Sequence, residues 1–256
     1  MMTQAAVLTE RRGRTLLITL NRPDQRNAVN AAVAGGVAAA MDELDANADL
    51  AVGVLTGAGK GFCAGMDLKA FVAGESAWHD QRGFAGIVQK PADKPLIAAI
   101  EGFAVAGGFE VALGCDLIVA SRGAKLGIPE VKRGLVAAGG ALLRLPRRIP
   151  YHLAMEMALT GDPITAERGA EVGVVNRLAE PGETVESALE LADAIAINAP
   201  LALTASKRII RDSVDWSQDE MWERQGQIAG PVMTSEDARE GSTAFAERRD
   251  PVWKAK

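Results

Sequence analysis

One strand–turn–helix unit sets the architecture that the sequence predicts. Residues 95–113 read PLIAAIEGFAVAGGFEVAL. The first six residues form an apolar run with the length of a buried strand, which ends at Glu101-Gly102. A second glycine turn, Ala106-Gly107-Gly108, follows, and we expect a helix from there to about Leu113. A strand that passes through a glycine turn into a helix is typical of α/β layering.

Further strands and helices alternate around this unit. Strand composition marks residues 15–20, 51–56 and 116–120, whereas small and apolar residues recur at helical spacing over 30–44. Beyond about residue 151 the pattern is mainly helical, with segments 151–160, 166–172, 185–198, 201–213, 217–228 and 235–248 punctuated by Pro163, Pro181, Pro200 and Pro231. The sequence therefore predicts an α/β core, residues 1–195, followed by a helical C-terminal region, residues 196–256.

Composition argues against several classes of protein. The chain has 256 residues, a net charge of −5 and no dense Lys/Arg cluster, which disfavours binding to nucleic acid or to an anionic membrane. No window approaches 18 consecutive apolar residues, and charge at residues 10–12 follows the start too soon for a signal peptide. Cys63 and Cys115 lie in apolar or glycine-rich runs, so we expect free thiols and a cytoplasmic location.

Several kinds of catalytic site are also disfavoured. The two histidines, His79 and His152, are far apart in sequence and outside the glycine turns, so neither a zinc site nor a Ser–His pair is expected. His79 is expected in a loop or lid. The turn at residues 57–61 is not a phosphate loop, because glycine follows Lys60 and Val54 stands where that motif needs its first glycine.

Two glycine turns remain that can present backbone N–H groups to a ligand. They span residues 61–68 and 102–110. Glycine allows a close approach of the backbone, and the first turn of a helix leaves N–H groups without partners. Two such amides from different segments can stabilise an oxyanion. The alternative is that both turns are tight packing corners.

Two glutamates accompany these turns. Glu110 lies one turn into the helix that follows the second turn, among apolar neighbours, and Glu130 follows Pro129 ahead of the glycine-rich stretch 134–140, which can open another helix. Two carboxyl groups in unlike environments suit acid–base chemistry at a carbon–carbon double bond. Alternatively, Glu110 lies on a helix surface and Glu130 is a capping partner.

Taken together, these features resemble the crotonase (enoyl-CoA hydratase/isomerase) superfamily, along nearly the whole chain. The matching pieces, in order, are Asn21-Arg22-Pro23 with Arg26-Asn27-Ala28, residues 62–68, residues 106–116, Pro129-Glu130 and the tail residues 240–245. The resemblance implies a spiral of ββα units with a helical C-terminal trimerisation region, and a homotrimer or a dimer of trimers.

The resemblance also implies the roles of individual residues. The backbone N–H groups of Met66 and Gly107 would form the oxyanion hole. Glu110 would hold and activate water, and Glu130 would supply a proton to the α-carbon. Coenzyme A, as part of the substrate, would pass along Arg26, Ala28, Ala64, Asp67, Leu68 and Lys69, with Arg26 or Lys69 near a phosphate. No other cofactor and no metal is implied.

Because hydratases of the family carry both glutamates, the resemblance favours an enoyl-CoA hydratase-type lyase, which adds water to the 2,3 double bond, but some features depart from the family's pattern. Ala138 replaces a glycine found at the water site in many hydratases, and Ala141-Leu142 replace a Thr-Gln pair. Dehydration of a branched or hydroxylated acyl-CoA, as by a carnitinyl-CoA dehydratase, would use the same two glutamates. Double-bond isomerisation would use the same oxyanion hole, and isomerases of the family commonly keep only one of the two glutamates. A non-catalytic protein that binds RNA or another partner is the alternative from a different class. Phe71, Phe84 and Trp222 are candidates for the acyl pocket.

Overall fold

The structure is a computed structural model that describes residues 5–256. The strands are β1 (Val7–Arg12), β2 (Thr15–Leu20), β3 (Val52–Gly57), β4 (Trp78–His79), β5 (Gly83–Phe84), β6 (Leu96–Ile100), β7 (Phe103–Val105), β8 (Leu117–Ser121), β9 (Lys125–Gly127), β10 (Ile164–Thr165) and β11 (Arg177–Ala179). The helices are α1 (Ala31–Ala46), α2 (Leu68–Val72), α3 (Gly107–Gly114), α4 (Ala141–Arg148), α5 (Tyr151–Thr160), α6 (Ala166–Glu171), α7 (Thr184–Ala196), α8 (Pro200–Asp212), α9 (Met221–Met233) and α10 (Glu236–Glu247). Short 3-10 helices cover Pro23–Gln25, Pro129–Arg133 and Ser213–Asp215.

A six-stranded sheet in the order β1-β2-β3-β6-β8-β11 forms the centre of the molecule. β1 pairs antiparallel with β2, and the other neighbours run parallel. A second sheet, β10-β9-β7, and the small β4-β5 hairpin lie beside it. The two glycine turns follow β3 and β7 along the chain.

Both faces of the main sheet are buried. In β3, Val52 and Val54 pack with Ala188 and Ala192 of α7, whereas Leu55 belongs to the larger core on the opposite face. Because successive side chains of a strand point to opposite faces, a continuous apolar run is the pattern that such a strand needs. The small residues of α7 allow its backbone to lie close to the sheet.

The predicted strands and most of the predicted helices are present, with ends that move by one or two residues. Asn30 and Ser235 cap α1 and α10 as hydrogen-bond acceptors from Val33 N and Ala238 N. The glycine-rich stretch 134–140 leads into α4, as expected. The α/β class with C-terminal helices is thus observed, while the division between residues 195 and 196 stays a prediction.

Two local predictions are wrong. Residues 217–220 form a turn, and α9 begins at Met221 and runs through Pro231 to Met233. The helix continues for only two residues past this proline, so the ring removes a single backbone hydrogen bond near the helix end. His79, expected in a loop or lid, instead pairs with Gly83 in the β4-β5 hairpin.

The expectation that the chain does not start with a signal peptide concerns, in part, residues 1–4. These four residues lie outside the described residues. Over residues 5–256, no single helix has the length and apolar composition needed to cross a membrane. The helices Thr184–Ala196 and Pro200–Asp215 pass that test only as a pair, bent by 108°. Cys63 and Cys115 are buried and free.

Candidate active site

The first glycine turn is held between two other segments. Val29 N donates to Gly65 O at 2.8 Å, and Asp67 N donates to Val29 O at 2.9 Å. In an extended chain alternate peptide groups point to opposite sides, so these two bonds direct the N–H of Met66 away from Val29. Within residues 5–256 this N–H has no hydrogen-bond acceptor. It is available to a ligand.

The second glycine turn brings another free amide to the same place. α3 begins at Gly107, whose N–H also lacks an acceptor among the described residues. A Cβ built on Gly65 would lie 2.9 Å from Gly107 N and 2.8 Å from Ala106 Cβ. Gly65 has φ +94° and Ala106 has φ 53°, so both turns adopt left-handed backbone conformations where they meet. The structure therefore places the amides of Met66 and Gly107 on adjacent turns.

Buried polar groups fix the first turn in position. Asn27, 1% exposed, donates through Nδ2 to Ala58 O and Gly61 O at 2.9 and 2.8 Å. Cys63 Sγ donates to Asn27 O at 3.1 Å, and burial raises the pKa of this thiol to about 12, so it stays neutral. Cys63 also bridges to Ala104 on its other side. The turn is thus tied to both neighbouring segments.

Glu110 lies inside the molecule, not on a helix surface. It is 4% exposed, and its Oε1 accepts a hydrogen bond from Ala141 N at 3.1 Å. A Cβ built on Gly139 would lie 2.5 Å from Glu110 Oε2, so the start of α4 fits closely around this carboxyl group. Burial raises the pKa of Glu110, and the amides of residues 139–141 and the charge of Arg144 oppose that rise.

Glu130 lies in the 3-10 helix Pro129–Arg133 and has an environment of a different kind. Its Oε2 is buried and has no hydrogen-bond partner among the described residues. Burial raises the pKa of Glu130 to about 7, and the charge of Glu110 adds to the rise. A buried oxygen without a partner is costly in a folded protein unless it serves a ligand or a water molecule. Glu130 is not the capping partner that the sequence allowed, since its side chain caps nothing.

The residues predicted to contact coenzyme A lie around the first turn. Arg26, Leu68 and Lys69 are exposed, and Ala28 and Ala64 are half-buried. Ala64 N donates to Arg26 O at 3.0 Å, which joins the two segments. These five residues therefore form one strip of surface.

Asp67, the sixth candidate, already has protein partners. Its Oδ1 accepts from Lys69 N and Ala70 N at 3.1 Å and so caps α2, while its Oδ2 pairs with Arg22 at 2.9 Å. These contacts outweigh its desolvation and lower the pKa of Asp67, although burial alone would raise it. Its carboxylate fixes the segment that carries Met66.

The candidates for the acyl pocket are dispersed. Phe84 is buried directly against Gly107, because a Cβ built on Gly107 would lie 2.6 Å from its ring. Phe71 is half exposed on α2, and Trp222 is exposed on α9 in the C-terminal region. Of the three, Phe84 alone is placed against a residue of the two glycine turns.

Two parts of the site were missed in the sequence. The amides of residues 139–141 cradle Glu110, and Arg144 of α4 contacts the same turn through Gly139 O at 3.4 Å. The Gly139-Gly140 pair at the start of a helix was a usable signal, since helix N-termini bind anions. Nothing in the sequence pairs residue 144 with residue 110.

Comparison with known proteins identifies the family and the fold. Residues 10–256 match the enoyl-CoA hydratase/isomerase family. The chain belongs to this family. An enoyl-CoA hydratase of Mycobacterium tuberculosis, EchA19, is 44% identical over 251 residues, which are 95% of this chain and 94% of that protein. A carnitinyl-CoA dehydratase of Salmonella heidelberg is 42% identical over 254 residues, or 96% and 97% of the two chains.

A solved structure agrees with this family assignment. The crystal structure of an enoyl-CoA hydratase from Mycobacterium tuberculosis H37Rv superposes with a TM-score of 0.97, at 58% identity, and the match covers 99% of this chain and 100% of that one. The predicted enoyl-CoA hydratase/isomerase family and the predicted fold class are confirmed. The relatives carry the two names, hydratase and carnitinyl-CoA dehydratase, that the sequence-based hypothesis weighed.

Proposed function

We propose that the protein is an enoyl-CoA hydratase-type lyase that adds water reversibly to the 2,3 double bond of an enoyl-CoA thioester. The observation that carries this proposal is the pair of glutamates in unlike environments: Glu110 is held by backbone amides, and Glu130 has a buried oxygen without a partner. A pair of carboxyl groups with separated proton affinities is what an acid and a base on one substrate require.

In the proposed reaction each group has one task. The amides of Met66 and Gly107 hold the thioester oxygen and stabilise the negative charge that forms there. Ionised Glu110 takes a proton from water as the water oxygen bonds to the β-carbon. Protonated Glu130 gives its proton to the α-carbon, so one proton enters the pair as the other leaves.

For coenzyme A, we place the nucleotide and pantetheine along the strip formed by Arg26, Ala28, Ala64, Leu68 and Lys69. The exposed cations Arg26 and Lys69 are the charge partners available to phosphates. Asp67 contributes here by position, since its carboxylate caps α2 and pairs with Arg22. The proposed chemistry uses acid–base groups and an oxyanion hole, so it requires neither a metal nor a redox cofactor.

A second candidate activity is the same chemistry in the direction of dehydration. The carnitinyl-CoA dehydratase relative favours it, as does Ala138, which lies next to the Gly139 that contacts Glu110. A branched or hydroxylated acyl group would then be the substrate. Double-bond isomerisation is less favoured, because isomerases of the family commonly keep only one of the two glutamates, whereas this chain has both.

We also propose that the protein acts as a homotrimer or a dimer of trimers. Large apolar side chains of the C-terminal helices are exposed in the single chain: Trp222 by 71%, Met233 by 75% and Phe245 by 88%. Exposed apolar side chains of this size are candidates for a surface that contacts another subunit. Two buried free thiols support a reducing, cytoplasmic location, and a net charge of −5 supports the absence of nucleic-acid and membrane partners.

The direct test is loss of the conjugated-thioester absorbance of crotonyl-CoA. We expect turnover by the purified protein, with Glu110→Gln and Glu130→Gln each slower by roughly 100-fold or more, as for loss of a positioned acid or base. Glu190→Gln is the matched control, since it makes the same change at an exposed position of α7. A folded protein that binds coenzyme A but hydrates no crotonyl-CoA would contradict the proposal for simple enoyl thioesters.

A further inference from the structure

Arg144 is a half-buried cation without an acidic side chain bound to it. No ion pair within residues 5–256 includes it. Its Nη2 donates to Val88 O, and its Nη1 donates to Gly139 O at 3.4 Å. A Cβ built on Gly140 would lie 2.2 Å from Nη1. The guanidinium therefore lies directly against the turn whose amides hold Glu110.

The charges around this turn are few and come from three elements. α3 contributes Glu110, α4 contributes Arg144 and Arg148, and the 3-10 helix contributes Glu130. The thiol of Cys115, which directly follows α3, adds no charge because burial raises its pKa. Arg144 favours the ionised form of Glu110, whereas the charge that acts on Glu130 is the negative charge of Glu110, which opposes ionisation. The positive charge thus acts on one carboxyl group of the pair.

We propose that Arg144 is a positioning residue for Glu110: it fixes the backbone of residues 139–141 against this carboxylate and supplies the positive charge that keeps it ionised while Glu130 holds the proton. The inference rests on the proposed function, because it assigns the base and the acid within the same glutamate pair. It also explains how two neighbouring carboxyl groups share one proton unequally.

The first test is the pH dependence of kcat/KM for crotonyl-CoA in three variants. Arg144→Met removes the charge and the hydrogen bonds, so Glu110 binds a proton more readily; we expect a loss of roughly tenfold or more at pH 6 and a smaller loss at pH 8. Arg144→Lys keeps the charge but not the two-carbonyl contact, that is, the pair of hydrogen bonds to Val88 O and Gly139 O. We therefore expect kcat to fall, whereas the pH at which activity is lost on the acid side of the profile (the acid limb) should not move. Arg148→Met is the control, since Arg148 lies in α4 with Arg144 but donates to Leu113 O of α3 and not to the Gly139 turn.

A second test needs no activity. The difference in melting temperature between the wild type and Glu110→Gln, followed over pH 4 to 9, reports where Glu110 titrates in the folded protein. The same difference in the Arg144→Met background should reach its high-pH value at a higher pH. Should the protein prove inactive on crotonyl-CoA, the proposed function fails, but this titration still decides the role of Arg144.

Three outcomes would overturn the inference. One is an Arg144→Met enzyme that loses activity equally at every pH, which indicates a structural role alone. Another is the same movement of the acid limb in Arg148→Met. If Arg144→Met does not fold, Arg144→Lys decides the matter, because wild-type kcat in that variant would show that the two-carbonyl contact positions nothing.

Discussion

At the scale of single residues, the proposed role of Glu110 depends on how closely the backbone fits around its carboxyl group. Gly139 has no side chain at a point where a Cβ would lie 2.5 Å from Oε2 of that carboxylate. We expect Gly139→Ala to lower kcat by roughly 10- to 100-fold, because a misplacement of about 1 Å is enough for such a loss. Gly35→Ala in α1 is the control, since nothing lies within 4 Å of its added Cβ. Equal kcat in both variants would contradict the predicted fit.

Glu130 also affects the stability of the folded protein, in a way that depends on pH. Because burial raises its pKa to about 7, the folded protein binds a proton there that the unfolded chain releases at lower pH. Stability from this group is therefore present at low pH and is lost as the pH rises through about 7. Glu130→Gln avoids an ionised carboxylate in this site, so it should melt roughly 2–4 °C higher at pH 8.5 and little differently at pH 4. The check is a pair of melting curves at these two pH values, and a shift of the same size at both would exclude this cause.

At the scale of elements, α2 links the proposed coenzyme A strip to the proposed oxyanion hole. Asp67 caps this helix and pairs with Arg22, and Met66 directly precedes Asp67 in the chain. Asp67→Asn keeps a capping acceptor and loses the ion pair, whereas Asp67→Ala loses both, at a cost of about 1 kcal/mol for the cap alone. If Asp67 acts by position, kcat falls more in Asp67→Ala than in Asp67→Asn in steady-state assays. A rise in KM alone, equal in the two variants, would indicate direct contact with coenzyme A instead.

Elements also show how far a sequence alone predicts this structure. The buried strands and α3 were predictable, since continuous apolar runs and glycine turns mark them. β1 was not, because this edge strand is exposed from Leu8 to Arg12 and so lacks an apolar face. The glycine turns that carry Met66 and Gly107, and both glutamates, were found from their local sequence. Arg144 was not, since its contact with the Gly139 turn is set by the packing of α4 on α3.

At the scale of the whole molecule, the exposed C-terminal helices predict an assembly. In sedimentation experiments we expect three or six copies of the 26.8 kDa chain. Phe245→Asp places a charge on the most exposed of the three apolar side chains and should shift the protein toward smaller species. Leu8→Asp, on the exposed edge strand β1, is the matched control. A monomeric wild type would contradict the predicted homotrimer.

In the proposed reaction, Glu110 and Glu130 share one proton. Water addition changes no net number of protons, so the singly protonated pair must be the active form in both directions. The most direct measurement is the pH dependence of kcat/KM for hydration of crotonyl-CoA by the wild type and by Glu130→Gln. We expect a bell-shaped profile whose alkaline limb begins near pH 7, where Glu130 loses its proton, and we expect that limb to be absent in Glu130→Gln. A wild-type rate that is constant from pH 6 to 9, or an unchanged alkaline limb in the variant, would contradict the proposed reaction.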